Sequence, residues 1–284
     1  MSIKNNKKQY NVNIKGELWN LSESPVVMGI LNITPDSFYS GSRKQTEQDI
    51  IGRVHQILSE GGAIVDIGAQ SSNPKSPFLS ANEELERLRF AMPAINREFP
   101  DLVMSMDTFH ADVARCAVEE YGVAIVNDVS GGQIDENMFQ TIASLHVPYI
   151  LMHMRGVPQT MQQFTEYDDL IQDIFYYFSQ KIAELRQLGV CDVIVDPGFG
   201  FSKTVAQNYE LMKQLDKFKI FDLPLLVGIS RKSMIYRLLD ISPEHSLNGT
   251  SVLNTYALEH GANILRVHDV KEATEAVTIM KQLK

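Results

Sequence analysis

Eight times along this chain a short, continuous apolar run rich in Val, Ile and Leu gives way to a segment with helical periodicity. That alternation restricts the fold more than any other feature. Strands without in–out alternation are those buried on both faces, and strands separated by helices pair in parallel. The expected strands are 26–31, 63–67, 102–106, 123–126, 148–152, 193–195, 225–229 and 264–267. The expected helices are 47–60, 82–98, 111–121, 136–145, 168–188, 205–215, helical turns through Leu239 with a helix at about 246–260, and 270–283. Eight βα units roughly 34 residues apart predict a single closed (β/α)8 barrel, a TIM barrel, spanning residues 1–284 as one domain. An open doubly wound sheet is the alternative, but it would bring a glycine-rich nucleotide turn after its first strand. The chain instead has Asn32-Ile33-Thr34-Pro35-Asp36 there. Ahead of the barrel, residues 1–25 carry one alternating segment, Tyr10 to Leu18, which predicts a small hairpin.

A length of 284 residues is normal for one such barrel, and 44% hydrophobic content can fill its core. The net charge of -9 argues against general nucleic-acid binding. No apolar run approaches the roughly 20 residues of a membrane span. The polar, lysine-containing start is not a secretory signal, and Cys116 and Cys191 are expected as buried free thiols in a reducing cytoplasm.

In barrels of this kind the chemistry lies at the C-terminal ends of the strands. Those positions hold Asn32, Asp66, Asp107, Asn127 with Asp128, His153, Asp196, Ser230 with Arg231 and Lys232, and Arg266 with His268. The most pointed stretch is Val193-Ile194-Val195-Asp196-Pro197-Gly198-Phe199-Gly200-Phe201-Ser202-Lys203, where a buried strand stops at a carboxylate and turns on glycine. A carboxylate there costs several kcal/mol or so unless partners await it. Asp66 and Asp128 could equally serve backbone N–H groups of their turns, His153 could be a satisfied core histidine, and Arg231 could point outward. Closure of the ring makes Arg266, His268 and Asn32 neighbours. Two donors of positive charge beside an amide oxygen suit a phosphate group with bound Mg²⁺. The far arc offers Asp107, Asn127, Asp196 and Lys232, a set that matches a flat heterocycle bearing ring N–H, amino and carbonyl groups, with Phe201 able to cover its face. Loops 34–45 and 68–82 are long enough for lids or binding loops. The chain has no P-loop and no Ser-His-Asp triad pattern.

The segments Gly29-Ile30-Leu31-Asn32-Ile33-Thr34-Pro35-Asp36-Ser37-Phe38, Asp66-Ile67-Gly68, Met106-Asp107-Thr108, Asn127-Asp128-Val129-Ser130-Gly131, Met152-His153-Met154, Asp196-Pro197-Gly198-Phe199-Gly200-Phe201, Ser230-Arg231-Lys232-Ser233 and Arg266-Val267-His268-Asp269 together resemble the dihydropteroate synthases of the pterin-binding barrel superfamily. The resemblance implies a cytoplasmic, homodimeric transferase of folate biosynthesis. Its substrates would be 6-hydroxymethyl-7,8-dihydropterin diphosphate and p-aminobenzoate. By the same resemblance, Asp107, Asn127, Asp196 and Lys232 hold the pterin, with Met152, Gly200, Gly228 and Phe201 packed near it. Asn32, as Mg²⁺ ligand, with Arg266 and His268 would take the diphosphate. Ser72, Phe201 and Ser230 would border the p-aminobenzoate pocket, where sulfonamides compete. Asp36, Asp196, Lys232 and Arg266 are the residues it implies for catalysis. One departure stands out: the family's loop arginine after the second strand is replaced by Asn73, followed by Pro74 and Lys75. That substitution motivates a rival reading, a pterin-binding paralogue without catalysis. A barrel passing a methyl group from methyltetrahydrofolate to a corrinoid protein is another. It would share the ring-binding carboxylates but would not need residues 34–36, Lys232, or Arg266 with His268.

Overall fold

The computed structural model describes residues 9–33, 46–70 and 78–283. It opens on a hairpin of β1 (Asn11–Ile14) and β2 (Glu17–Asn20), whose two-residue turn places Lys15 at φ 52° and Gly16 at φ 83°. Positive φ at both central positions is what a tight turn between right-twisted strands requires. The barrel follows: β3 (Val26–Asn32), α1 (Glu47–Ser59), β4 (Ile64–Gly68), α2 (Ala81–Glu98), β5 (Met104–Asp107), α3 (Ala111–Tyr121), β6 (Ile125–Asp128), α4 (Met138–Leu145) and β7 (Tyr149–Met152). The second half is α5 (Leu170–Gln187), β8 (Val193–Asp196), α6 (Val205–Lys213), β9 (Leu226–Val227), α7 (Ser233–Leu239), α8 (Leu247–Glu259), β10 (Ile264–Val267) and α9 (Val270–Leu283).

All eight barrel strands pair in parallel, in the order β8-β7-β6-β5-β4-β3-β10-β9. The ring closes through a single bridge between Val195 and Leu225, where the Val195 N–H donates to the Pro224 carbonyl at 2.9 Å. The expected barrel is therefore the observed one. Five strands run on past their expected ends, whereas β9 is confined to Leu226–Val227 within the expected 225–229. Where the apolar runs stop at Leu31, Ile67, Met106, Val126 and Val195, the ladders continue into Asn32, Gly68, Asp107, Asp128 and Asp196. The polar residues thus sit inside the hydrogen-bonded register rather than in the loops beyond it.

Residues two apart on a strand share a face. Met28, Ile64, Ile125, Ile150, Ile194, Leu226 and Ile264 form one apolar layer inside the barrel, and Val12, Ile14 and Leu21 of the hairpin segment pack against it. The hairpin is also tied by Lys15 Nζ to the Leu102 carbonyl at 2.9 Å, and Asn263 Nδ2 donates to the Leu21 carbonyl at 3.0 Å. The barrel is therefore stopped at its N-terminal end, and one layer above the stopper its interior turns polar. The larger core lies between strands and helices. Capping boxes at Thr46, Ser80 and Thr204 start α1, α2 and α6 directly after three of the rim segments.

Candidate active site

Ladder register lays the rim residues side by side. Asn32 pairs with Gly68, Gly68 with Asp107, Asp107 with Asn127, and Met152 with Asp196. Strands lie about 4.8 Å apart, so such a row brings its side chains within contact of one heterocyclic ring. Gly68 leaves a gap in the row. A Cβ added there would sit 3.6 Å from Asn32 Oδ1 and 3.7 Å from Asp107 Oδ2, so those two oxygens face a shared space. The pocket above is lined by Ile30, Asn32, Gln70, Asp107, Val129, Phe201, Gly228, Ser230, Arg231, Lys232, Arg266 and His268. Asn127 and Asp196 are buried. Met152 belongs to an apolar cluster with Met154, Met161 and Phe201. Gly200, at φ 83°, leaves room for the Lys232 stem, which a Cβ would approach to 3.1 Å, and Gly228 lies beside Arg266 and Lys232.

The charges converge more tightly than the two-arc division of the sequence suggests. Arg266 Nε donates to Asp66 Oδ2 at 2.6 Å, and its Nη2 donates to Asp107 Oδ2 at 2.6 Å. Asn127 Nδ2 donates to the same Asp66 oxygen at 3.1 Å. Arg266 is thus fastened to the ring-binding arc and does not stand apart from it with His268. Asp66 is not a turn-capping carboxylate: it is wholly buried and anchors Arg266, because the inward face of β4 puts it under the guanidinium. Burial alone would lower the Arg266 pKa, but Asp66 and then Asp107 more than offset it and push it up. Burial pushes the Asp107 carboxyl up to about 7, with Arg266 opposing and Asp66 and Asp128 adding to the rise. With Arg266 at 2.6 Å, we take this pair as ionic.

Asp196 Oδ1 accepts the Gly198 N–H at 2.8 Å. Burial pushes its pKa up, against Lys232, the Gly198 N–H, Arg266 and Lys203. Lys232 Nζ donates to the Phe199 carbonyl at 2.6 Å and stands 4.7 Å from the centre of the Phe201 ring. Burial lowers Lys232 to about 8, with Asp196 opposing. Gly198 is required by shape. At φ 71°, a Cβ there would lie 2.0 Å from the His153 carbonyl oxygen.

His268 is exposed at the pocket's edge, where desolvation and then Arg266 lower its pKa. Its backbone N–H donates to Ser230 Oγ at 3.1 Å, and Nδ1 lies 3.1 Å from the same oxygen. Arg231 turns its guanidinium away onto Asp269, at 2.8 and 2.9 Å. Asp128 is structural, accepting from the Ser130 and Gly132 N–H groups and the Tyr149 hydroxyl. His153 is a satisfied core histidine, with Nδ1 3.0 Å from Lys203 Nζ. Two buried ionisable groups went unread in the sequence, Lys203 and Glu84, the latter accepting from Thr108 Oγ1 at 2.7 Å. The only available signal was their place, Lys203 at the close of the glycine-rich turn and Glu84 in the first turn of α2. The candidate residues Asp36 and Ser72, with Asn73 and Lys75, lie outside the described residues. Cys116 is half-buried and Cys191 exposed, so neither is the buried thiol expected, though both are free.

Against known proteins, a family model described as pterin binding enzyme matches residues 28–268. The dihydropteroate synthase of Escherichia coli K12 is 39% identical over 259 residues, covering 90% of this chain and 91% of its own. The solved structure of Yersinia pestis dihydropteroate synthase with a sulfonamide drug complex superposes with a TM-score of 0.88 at 37% identity, over 96% of this chain and 98% of that one. Xanthomonas albilineans dihydropteroate synthase with 4-aminobenzoic acid gives 0.86 at 31%, over 97% and 98%.

Proposed function

The chain belongs to the pterin-binding enzyme family, and from that membership we infer its reaction. It is a dihydropteroate synthase, a transferase of folate biosynthesis. It joins p-aminobenzoate to 6-hydroxymethyl-7,8-dihydropterin diphosphate, giving 7,8-dihydropteroate and diphosphate. The observation that carries the reading is that half-buried Asp107 lines one pocket with Lys232 and Arg266, with buried Asn127 and Asp196 on the neighbouring strand ends and the barrel closed at its base.

In this reading Asp196 and Asp107 accept the ring N–H and amino donors, and Asn127 and Lys232 serve its remaining polar edge. Phe201 and Met152 flank the ring plane. The C–O bond to the diphosphate breaks first, and the electron pair leaves with the diphosphate. The cationic methylene-pterin that remains is stabilised by ring delocalisation, by Asp196 and by Asp36. The aniline nitrogen then forms the new C–N bond and loses its proton to solvent, which needs little help because an aniline is already nucleophilic at neutral pH. Arg266 takes up charge at the leaving group, with His268 beside it as a hydrogen-bonding partner. Phe201 and Ser230, with Ser72, border the p-aminobenzoate position, which sulfonamides would also occupy.

Mg²⁺ fits the donors on a limited footing. Among the described residues no cluster of three His, Cys, Asp or Glu side chains could hold a metal. Yet Mg²⁺ keeps several waters and needs only one or two protein oxygens when a phosphate brings the rest. Asn32 Oδ1, facing the gap above Gly68, would be that oxygen, and the ion would neutralise charge on the diphosphate. The homodimer that we propose would cover Leu238, Leu239 and Ile241 at the end of α7 and Val252 on α8, all exposed. No described helix is long and apolar enough to cross a membrane. The two free cysteines support a reducing, cytoplasmic setting.

The test is diphosphate release from the pterin diphosphate, with and without p-aminobenzoate. Release coupled to formation of 7,8-dihydropteroate is expected. Tight pterin binding with no release under either condition would instead make the chain a non-catalytic pterin binder, and methyl transfer from methyltetrahydrofolate would make it a corrinoid-type enzyme.

A further inference from the structure

We propose that Lys203 is a positioning residue for ring recognition: a buried ammonium that fixes the Gly198–Phe201 turn and offsets the charge of Asp196 from behind. The proposal rests on the pterin reading of the pocket. Lys203 is 3% exposed, and its Nζ is ringed by three groups at 3.0 Å, the Gly198 carbonyl, the Phe201 carbonyl and His153 Nδ1. Three partners match the three donors of an ammonium. None of them is a carboxylate. A buried ammonium without a contacting counter-ion costs several kcal/mol or so, and an apolar side chain would fill the same space at less cost.

Each contact leads into the site. Gly198 accepts from Lys203 through its carbonyl and donates its own N–H to Asp196 Oδ1 at 2.8 Å. Phe201 carries the ring that lines the pocket beside Lys232. His153 donates its backbone N–H to the Asp196 carbonyl at 3.0 Å, and its own carbonyl lies under Gly198. One nitrogen therefore joins the turns after β7 and β8 and fixes both ends of the Asp196 residue. Asn208 secures the same turn without charge, accepting from the Gly200 N–H at 2.7 Å and donating to the Lys203 and Thr204 carbonyls.

The charged groups facing Lys203 are Asp196, Lys232 and Arg155. Burial lowers it to about 7, Asp196 opposes that fall, and Lys232 and Arg155 add to it. His153 is held neutral, first by burial and then by Lys203 and Arg155, so its Nδ1 is free to accept and its proton sits on Nε2. Asp196 is the only anion in this set, so Lys203 and Lys232 hold it from two sides.

The experiment compares wild type, Lys203→Met and Asn208→Ala by calorimetry with 6-hydroxymethylpterin from pH 5.5 to 8.5. Inorganic diphosphate serves as a second ligand. Lys203→Met is expected to weaken pterin binding at least tenfold at pH 7 and to move the acid limb of binding up by at least half a pH unit. Its diphosphate affinity should stay within twofold. Asn208→Ala loosens the turn and should weaken binding without moving the limb. Equal losses in both variants with an unmoved limb would reduce Lys203 to a structural strut and overturn the proposal. A wild type that binds no pterin would defeat the functional reading instead. Should Lys203→Met not fold, lysine ¹³Cε NMR of the wild-type pterin complex decides. A buried lysine that is mainly ammonium at pH 7 in the complex supports the proposal, and one that is mainly a neutral amine at pH 7 overturns it.

Discussion

Glu84 gives the sharpest physical test of how the rim is held. It sits in the first turn of α2, fully buried, with Oε2 accepting from Thr108 Oγ1 at 2.7 Å and Oε1 without a partner among the described residues. Burial raises it from 4.5 to about 7; Thr108 opposes the rise, Asp107 adds to it and Arg87 opposes it. The native state therefore holds a proton that the unfolded chain releases above pH 4.5. A raised folded pKa contributes stability that is complete below the unfolded value and is lost as pH climbs through the folded one. For these two values the loss between pH 5 and pH 8 is on the order of 2–3 kcal/mol. Glu84→Gln cannot titrate. It buries an amide with unpaired donors, at a cost of about 1–3 kcal/mol that is the same at every pH. The stability of Glu84→Gln relative to wild type should therefore improve by on the order of 2–3 kcal/mol from pH 5 to pH 8, whatever its starting offset. Urea titrations at the two pH values, followed by circular dichroism and fluorescence together, measure this directly. A relative stability that changes by less than about 0.5 kcal/mol would show that Glu84 is ionised throughout, and the argument from burial would fail.

Asp196→Asn should abolish detectable pterin binding, since an amide presents donors where the ring also presents donors; calorimetric affinity within threefold of wild type would count against the assignment. Arg266→Ala leaves Asp66 and Asp107 without their shared cation, so it should weaken binding of pterins with and without phosphates and cost about 3–5 kcal/mol of stability. His268→Ala should instead weaken only the phosphorylated ligand, and equal losses for the two ligands would contradict that division. Gly198→Ala must push the His153 carbonyl aside from 2.0 Å, so a fall of at least about 5 °C in melting temperature is expected; a change within 1 °C would show that the turn yields freely.

The barrel was readable because a strand buried on both faces needs an unbroken apolar run, and eight such runs recur. The ends of those strands were less so. Asp107, Asp128 and Asp196 look like the first loop residues by composition, yet each continues its ladder, since a carboxylate with waiting partners does not interrupt pairing. Asn127, Asp196 and Lys232 group together in the sequence because strand-end position alone puts them at one end of the barrel. The role of Asp66 stays open in the sequence because its partner, Arg266, is 200 residues away, and no local pattern reports which carboxylate a guanidinium will choose. The pKa of His268 depends on Arg266, which no pattern in its own neighbours shows. Glu84 and Lys203 lie on apolar-looking faces of helical or turn segments, where long charged side chains normally reach water.

The hairpin at the base has a kinetic consequence. Val12, Ile14 and Leu21 cork the interior, leaving a shaft with one mouth. Asn127 and Asp196 are nearly sealed, at 2% and 5% exposure, while His268 is exposed at the pocket's edge. A blind shaft imposes a queue. The bicyclic ring must descend before anything occupies the mouth, because a molecule already seated above would block its only route. The second reactant then arrives on top and traps the first, and the joined product has to withdraw from the mouth as a single piece.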